Sequence, residues 1–420
     1  MKIKIQNGRL IDNANQLDMA GDIYIANGHI IAINEPPANV EVDHVIDATG
    51  KVVCAGFVDL SVRLANIAKE SDVAACSGVT TFCVQPDISP IIDTPEVVQH
   101  LDELAIQAGY SSCRFIGALT QNLDGSELSS MLSLKKAGCI AVSNGQFPVK
   151  NLLILRRAME YAASHDLLFM YRPNEFSLSN GGCAHEGEMA TRYGLPSIPD
   201  SAETIALEQC LELVQLTGCR VHFGQLSSRR AVIKLQQARK YGLNVTADVA
   251  MHQLHLTQDD VVPFDSHYHV LPPLRDRQDL EYLRRGLISG TIDSICSDHQ
   301  PRNIDAKLAA FPETKAGMST LETLLPLLLR LVNQKMIDLP RALSLLNEKP
   351  AAILGLKTGK LEVGLPADIC IFDPNATWLA NADNWRSEGI NTPFWGETLT
   401  GRVTHTLKAG KIIFNNLANA

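Results

Sequence analysis

Polar and apolar residues alternate in short runs at both ends of the chain. The runs are Ile3–Ile5, Ile23–Ile25, His29–Ile33, Asp368–Phe372, Val403–Lys408 and Ile412–Phe414. Alternation with period two is typical of strands that bury one face. Turn-forming pairs at Asn7-Gly8, Asn27-Gly28 and Ala409-Gly410 favour hairpins between such strands. The pattern predicts β-rich segments at residues 1–52 and 357–420.

Between these ends, from residue 53 to 356, short apolar runs alternate with longer amphipathic stretches. Clear pairs are Val79–Val84 then Pro95–Gln107, Cys139–Val142 then Leu152–His165, Leu167–Met170 then Ala202–Leu216, and Val221–Phe223 then Arg229–Tyr241. Repeated strand-then-helix order predicts a parallel sheet with right-handed crossovers, and about six to eight such units favour a closed (β/α)8 barrel. An open doubly wound sheet is the alternative, but no GxGxxG or P-loop motif follows the first strand.

Charge and composition argue against several classes of protein. The chain has 37 Lys and Arg against 46 Asp and Glu, a formal charge of −9, which argues against a nucleic-acid-binding protein. The best candidate for a membrane span, Leu321–Val332, is too short and is interrupted by polar residues. Its ten cysteines include no CxxC pair, which is typical of reduced thiols, so we expect a cytoplasmic protein without a membrane anchor.

Polar side chains follow the predicted strands of the middle region. They lie in Asp59–Leu64, Gln85–Asp87, Ser143–Gly145, Tyr171–Pro173, Gly224–Ser227, Met251–Gln253 and Cys296–His299. In a (β/α)8 barrel the loops after the strands meet at one end, where the active sites of such enzymes lie. We therefore expect these segments to converge at the barrel mouth.

Several motifs, in the same order along the chain, resemble those of the dihydroorotase branch of the amidohydrolase superfamily. Val53–Leu60 is similar to the family's first barrel strand, Gly78–Thr81 to "GGhTT", Ala184–Glu188 to "HEGE", Pro272–Arg275 to "PPLR", Gly290–Asp293 with Ser297–Pro301 to "GTID…DHAP", and Gly364–Cys370 to "GxxADhh". The resemblance covers nearly the whole chain. It implies an α/β fold with an amidohydrolase-type TIM-like barrel at 53–356 and a small β-sandwich domain built from both chain ends.

The resemblance also shows which metal-binding positions differ. Family members use one or two divalent cations to turn water into hydroxide near neutral pH. The family's His-x-His corresponds to Ser61 and Arg63, its third-strand aspartate to Asn144, and its histidines after strands four and five to Tyr171 and Gln225. Only Asp298, the family's ligand and general base, remains. Because arginine is always protonated and repels a cation, we expect no metal, no other cofactor and no catalytic residue, with Asp298 as a remnant.

The substrate-binding positions differ as well. The family's carboxylate-binding arginine corresponds to Ala65, the asparagine of its "PNT" motif to Asp87, and the asparagine before "PPLR" to Leu271, whereas Arg275 is retained. A chain with these replacements lacks the bidentate clamp for a substrate carboxylate.

Within this family, noncatalytic dihydroorotase-like proteins are known as partners of aspartate transcarbamoylase. The resemblance therefore implies a pseudoenzyme that serves as a structural subunit of an aspartate transcarbamoylase complex in pyrimidine (UMP) biosynthesis. Its expected partner is the transcarbamoylase catalytic subunit, and we expect a homo-oligomer, a dimer, within the larger complex.

Two other functions stay open from the sequence. The first is an active zinc-type cyclic amidohydrolase in which Asp298 and relocated histidines rebuild the metal site; the histidine pairs are His252 with His255 and His267 with His269. The second is a noncatalytic metabolite sensor that uses Arg63, Arg172 and Arg275 as anion contacts.

The remaining polar residues have structural interpretations. We expect His252, His255, His267 and His269 in a solvated loop, His222 as a core histidine with partners, and His185-Glu186 as a loop anchor. We also expect an Asp59–Arg63 salt bridge to fill the former metal site, and Thr323–Val332 to lie in the core.

Overall fold

The computed structural model describes residues 2–36, 41–261 and 265–416. Its strands are β1 Lys2–Asp12, β2 Leu17–Ala26, β3 His29–Ile33, β4 His44–Asp47, β5 Val52–Ala55, β6 Phe57–Val62, β7 Val79–Val84, β8 Ser112–Ala118, β9 Ala141–Ser143, β10 Leu168–Tyr171, β11 Ala184–His185, β12 Ser197–Ile198, β13 Val221–Phe223, β14 Val245–Ala250, β15 Ser294–Cys296, β16 Ile369–Leu379, β17 Thr398–Lys408 and β18 Lys411–Asn415. Its helices are α1 Ile67–Cys76, α2 Pro95–Ala108, α3 Met131–Ala137, α4 Leu152–Ser164, α5 Phe176–Ser179, α6 Glu188–Tyr193, α7 Asp200–Thr217, α8 Arg229–Lys240, α9 Arg277–Ser289, α10 Leu324–Asn333, α11 Leu339–Ser344 and α12 Glu348–Leu354.

Eight strands form the predicted parallel barrel. Their order is β6-β7-β8-β9-β10-β13-β14-β15, and each neighbouring pair within this order is parallel. A parallel bridge between Val62 and His299 joins the two ends of the order and brings the barrel close to closure. The open doubly wound alternative is therefore wrong. Helices follow the strands on the outside, as the alternating pattern predicted.

The two chain ends share one mixed sheet of order β18-β17-β16-β5-β1-β2-β3, with β4 beside β1. Antiparallel pairing of β16 with β5, and parallel pairing of β5 with β1, join the carboxyl end to the amino end. The predicted turns at Asn27-Gly28 and Ala409-Gly410 are present, with positive φ angles at all four residues. The predicted hairpin at Asn7-Gly8 is wrong, because this pair lies inside β1 at a shift in its register with β2.

Helix α10 carries the apolar stretch that was considered as a membrane span. Its leucines are buried, which confirms the prediction of a core segment. None of the helices in the described part of the chain is both long enough and apolar enough to cross a membrane.

The segment between β16 and β17 packs onto the loop that follows β15. Asn391 Nδ2 donates to the backbone oxygens of Gln300 and Gly317, and its Oδ1 accepts from the Arg302 backbone N–H. Gly389 lies so close to Pro301 that a Cβ atom would come within 2.5 Å of it. The carboxyl-terminal sheet thus supports the eighth barrel loop, which belongs to the candidate site.

Candidate functional site at the barrel mouth

The ends of the barrel strands bring several of the predicted site residues together. We call the group of Ser61, Arg63, Asp87, Gln225, Asp298 and Gln300 the Asp298 cluster; Asp87 is half-buried with a side chain that is 3% exposed, and the other five residues are buried. Gln225 and Asp298 have φ angles of 57° and 51°, a conformation that is uncommon for residues other than glycine. Such backbone conformations concentrate at functional sites, and here they bring together two side chains from the ends of β13 and β15, which are separated by one strand in the barrel.

Arg63 lies between two carboxylates at the centre of this cluster. Its Nε atom is 2.9 Å from Asp87 Oδ1, and its Nη1 atom is 3.1 Å from Asp298 Oδ1. The arginine side chain is only 8% exposed. Gly145 makes the close approach of the Asp87 side chain possible, since a Cβ atom at this glycine would lie 2.6 Å from Asp87 Cγ. The guanidinium therefore fills the space between the carboxylates of Asp87 and Asp298.

The carboxylate of Asp298 is surrounded by hydrogen-bond donors. Its Oδ1 atom accepts from Gln225 Nε2 at 2.8 Å and from Gln300 Nε2 at 3.0 Å, in addition to Arg63. Burial raises the pKa of Asp298 to about 6, and the nearby charges of Arg63 and Arg172 act in the opposite direction. These contacts engage the oxygen that the family uses for metal binding.

The expected salt bridge between Asp59 and Arg63 is wrong. Asp59 instead accepts hydrogen bonds from the Ser297 hydroxyl, from the Ser297 backbone N–H at 3.0 Å and from the Ser61 backbone N–H at 3.2 Å. Four residues along a strand span about 13 Å, so Asp59 lies far deeper in the barrel than Arg63. Burial raises the pKa of Asp59 to about 6.

Two of the predicted former ligand positions do not point into the cluster. Asn144 holds its own loop, because its Oδ1 accepts from Thr120 at 2.8 Å and its Nδ2 donates to the Phe147 carbonyl at 2.8 Å. The Tyr171 ring packs near Phe169 and Phe223 in the apolar layer between strands and helices, which corrects its assignment to the site.

Arg172, one residue further along, is the residue from this strand end that faces the charged groups. Its Nη1 atom donates to the Leu271 carbonyl at 2.9 Å. Burial and the neighbouring charge of Arg63 lower its pKa to about 10. No carboxylate of the described residues lies within salt-bridge distance of it.

The residues predicted to be remnants of the substrate pocket lie in different places in the structure. Ala65 and Asp87 line an open cleft of about 1030 Å³ at the barrel mouth. Leu271 contributes its carbonyl to Arg172. Arg275 is buried and donates to Ser227, to the Ile198 carbonyl and to His185 Nδ1, so it is not an open anion contact.

Two of the four candidate histidines, His252 and His269, are buried, contrary to the expectation, whereas the side chain of His267 is 37% exposed and contacts Asp265. His252 is buried without a hydrogen-bond partner among the described residues, and burial lowers its pKa to about 4. His269 is also buried, donates to or accepts from Thr314, and stacks on Phe311. His222 is a core histidine with partners, as predicted, since its ring nitrogens contact Thr246 and Asp248.

A relocated metal site does not form from these histidines in the described part of the chain. The one group of three metal-binding side chains there is His185 with Asp276 and Asp279. His185 Nδ1 already accepts a hydrogen bond from the Arg275 guanidinium, and this positive charge, after burial, lowers the pKa of His185 to about 4. A cation at this place would lie beside the guanidinium.

The family's metal does not fit the residues of the Asp298 cluster. A divalent cation needs imidazole nitrogens or carboxylate oxygens arranged around an open position. Here the Asp298 oxygen faces a guanidinium and two side-chain amide N–H groups, all of them hydrogen donors. The Ser61 hydroxyl accepts from Gln225 at 2.7 Å, so its lone pairs are also engaged.

Sequence reasoning missed three residues that shape the site. Gln300 and Arg302 line the mouth, and Glu70 binds His299 Nε2 at 3.0 Å from behind the cluster. Gln300 lies in the stretch Ser297–Pro301, which resembles a motif of the family, so the sequence contains a signal for it. Glu70 is a single acidic residue on the buried face of α1, which is itself a sign of an internal partner.

Comparisons with known proteins identify the family of the chain. Residues 50–231 match a family model described as Dihydro-orotase-like, and residues 217–413 match one described as Amidohydrolase family. A protein of Pseudomonas aeruginosa named "Dihydroorotase-like protein" is 43% identical over 98% of this chain and 99% of its own length. A protein of Syntrophus aciditrophicus named "Dihydroorotase" is 36% identical over 99% of both chains.

Among solved structures, an L-hydantoinase (dihydropyrimidinase) from Arthrobacter aurescens superposes with a TM-score of 0.87. The match covers 98% of this chain and 96% of the hydantoinase, at 24% sequence identity. At this identity the likeness establishes the fold alone.

Proposed function

The chain belongs to the dihydroorotase-like amidohydrolases, and from this premise we propose that it is a noncatalytic member of the family. Its role is that of a structural subunit in an aspartate transcarbamoylase complex of pyrimidine biosynthesis. The transcarbamoylase catalytic subunit is its partner, it works without a metal cofactor, and it enters the complex as a homo-oligomer.

The position of Arg63 carries this proposal. A divalent cation held by Asp298 would stand about 4 Å from the guanidinium, and at an effective dielectric constant near 20 the repulsion is about 8 kcal/mol. The replacements at Ser61 and Gln225 remove neutral nitrogen ligands as well. The family's reaction needs a metal-activated water. A barrel with Arg63 beside Asp298 therefore supports a role other than hydrolysis.

The intact scaffold supports the structural role. The barrel keeps its eight strands and a continuous buried core although the metal-binding side chains differ. The side chains at the replaced positions Ser61, Arg63 and Gln225 make hydrogen bonds and ion pairs around Asp298, and among their polar atoms Gln225 Oε1 is buried without a partner in the described residues. Such a barrel is stable without a ligand, as a scaffold must be.

The test combines metal analysis, activity and association. The purified chain is expected to contain less than about 0.1 zinc per chain by elemental mass spectrometry, and to show no dihydroorotase turnover when zinc is added. It is expected to co-elute with the transcarbamoylase catalytic chain of the same organism in size-exclusion chromatography. Stoichiometric zinc together with turnover would contradict the proposal.

A cyclic amidohydrolase is the second candidate function. It is favoured by relatives named "Dihydroorotase" that are 36% and 37% identical over nearly the whole chain. Under this alternative Asp298 is the general base, and Asp298→Asn abolishes a turnover that the wild type displays. Equal, background-level rates of wild type and variant exclude it.

A further inference from the structure

Exposed apolar side chains cluster on one side of the barrel mouth. We call Phe147, Lys150, Leu152, Leu153 and Leu178 the rim surface. Its four apolar side chains are 53%, 45%, 55% and 38% exposed, in chain order. Phe147 also lines the mouth cleft, so the rim surface continues into it. Neighbouring exposed apolar residues of this size are uncommon on a monomer surface and mark interaction sites.

The rim surface is held in a defined shape. Asn144 Nδ2 donates to the Phe147 carbonyl, and the Phe147 N–H returns a bond to the Asn144 carbonyl at 3.0 Å. The Asn151 side chain caps α4 by accepting from the Leu153 N–H at 2.9 Å. Lys150 Nζ stands 3.7 Å from the centre of the Phe176 ring, which connects the rim to the helix that carries Leu178. A surface ordered in this way loses little conformational entropy on binding.

Asn144 positions Phe147 in the rim surface. The family's metal-binding aspartate corresponds to this position, and here the amide holds the carbonyl of an exposed aromatic residue. An aspartate could not donate this hydrogen bond. The substitution that removes a metal ligand thus also supplies the donor that positions the rim.

The charge around the rim surface is positive, in contrast to the rest of the chain. Lys150, Arg156 and Arg157 are exposed next to it. Two acidic residues lie there as well: Glu160 pairs with the two arginines, and Glu175 accepts from the Leu178 backbone N–H, so the cations outnumber the carboxylates by one. The whole chain has a formal charge of −9. A two-fold axis through this surface would place like charges opposite each other, which disfavours a second copy of the same face.

We propose that the rim surface is the docking site for an acidic polypeptide partner. Apolar side chains of the partner cover Phe147, Leu152 and Leu153, while its carboxylates face Lys150 and Arg157. This inference rests on the proposed structural role and deepens it by naming the surface through which the complex forms.

The decisive variant is Leu152→Glu with Leu153→Glu. Both residues stand in the first turn of α4, where added negative charge favours the helix, so the variant is expected to fold normally. Its affinity for the transcarbamoylase catalytic chain is expected to fall at least tenfold, measured by light scattering and titration. Ile106→Glu with Leu216→Glu is the matched control, because it adds two charges at apolar residues that are 71% and 60% exposed elsewhere. The control is expected to bind like the wild type.

Asn144→Asp tests the positioning role separately. This variant keeps an acceptor for Thr120 but loses the donor to Phe147, and a smaller decrease in affinity of about threefold is expected. Arg157→Glu should weaken the complex more at low salt than at high salt, because exposed charges are screened. Affinities that do not change with either substitution or with salt would contradict the recognition of an acidic partner.

The outcomes separate this inference from the proposed function. If the wild type does not bind the transcarbamoylase chain, the structural role fails and the docking surface with it. If the wild type and the rim variant bind equally well, the structural role stands and the rim is not its surface. If the rim variant loses self-association but still binds the transcarbamoylase chain, the occupant is a second copy and the inference is overturned.

Discussion

Two regions of the barrel mouth differ in how their side chains are paired and exposed: the floor, formed by Arg63, Asp87 and Asp298, and the rim surface. At the floor, Arg63, Asp87 and Asp298 are buried and bind one another. At the rim, Phe147 and Leu153 are held by backbone and amide contacts but are more than half exposed. The charged groups of the floor are therefore paired with one another, whereas the rim exposes apolar side chains to solvent. Two neighbouring regions of one barrel mouth thus differ in what they offer to another molecule.

The largest effect is expected when the floor loses its cation. Arg63→Met would leave Asp87 and Asp298 as two buried carboxylates without a positive partner, and the free energy of unfolding should fall by about 3–5 kcal/mol at pH 7. Urea unfolding measures this loss. Adding Asp87→Asn and Asp298→Asn to the same chain should recover most of it, and a loss below about 1 kcal/mol in the single variant would show that the ion pairs are not structural.

Asp59, which lies deeper in the barrel than the floor, makes the stability of the protein depend on pH. Its pKa in the folded protein is about 6, above the ordinary 3.8, so the folded state binds a proton that the unfolded state releases between these pH values. Stability relative to Asp59→Asn should therefore fall as pH rises from about 4 to 6, by up to about 3 kcal/mol, and stay constant above. Parallel unfolding curves of the two proteins across this range would contradict it.

Substituting histidines for residues around Asp298 should produce a metal-binding site. Ser61 and Arg63 lie on one face of the strand end, and Gln225 touches Ser61. Changing all three to histidine, with Asp87→Asn to remove the unpaired carboxylate, surrounds Asp298 with imidazoles. About one zinc per chain is expected, with stabilisation of about 2.7 kcal/mol at a zinc concentration 100-fold above Kd. Gln225→His alone is the control and should bind none.

A smaller loss of stability is expected at Asn144, which connects the floor to the rim. Asn144→Ala removes the contacts to Thr120 and to the Phe147 carbonyl, and a loss of about 2 kcal/mol is expected from the unsatisfied buried groups. Thermal unfolding measures it. Asn151→Ala, which removes only the helix cap, should cost about 1 kcal/mol, and the reverse ranking would contradict a supporting role for Asn144.

The smallest change in stability is expected for a substitution at the rim surface. Leu153→Glu should change the free energy of unfolding by less than about 0.5 kcal/mol, because the side chain is exposed and stands at a helix N-terminus. A strong destabilisation in urea unfolding would show that Leu153 belongs to the core and that the contrast between floor and rim is not real.

Much of the architecture followed from periodicity. The predicted strands Val79–Val84 and Val221–Phe223 agree with the structure residue for residue, and the predicted helix Pro95–Gln107 differs from the observed Pro95–Ala108 by one residue. Asn7-Gly8 misled because a positive φ angle serves a bulge as well as a turn. Local sequence cannot separate these two uses, since the pairing strand decides between them.

The site was harder to predict because alignment places residues on a strand but does not orient them. Tyr171 and Arg172 are neighbours, so one of them faces the helices and the other faces the barrel. A shift of one residue exchanges these roles. The histidine pairs were misjudged for a related reason, because polar neighbours in the sequence suggested solvent while the fold buried the rings of His252 and His269.

The sequence by itself determined the fold class and the loss of the metal-binding side chains, since both depend on residue type and spacing along the chain. Only the tertiary structure decided which partners Arg63 has. Arg63 binds Asp87 and Asp298, which lie 24 and 235 residues away in the chain, rather than Asp59, which is four residues away. The physical reason is geometric: an extended strand separates near neighbours by about 13 Å, while barrel closure brings distant strand ends within hydrogen-bond distance.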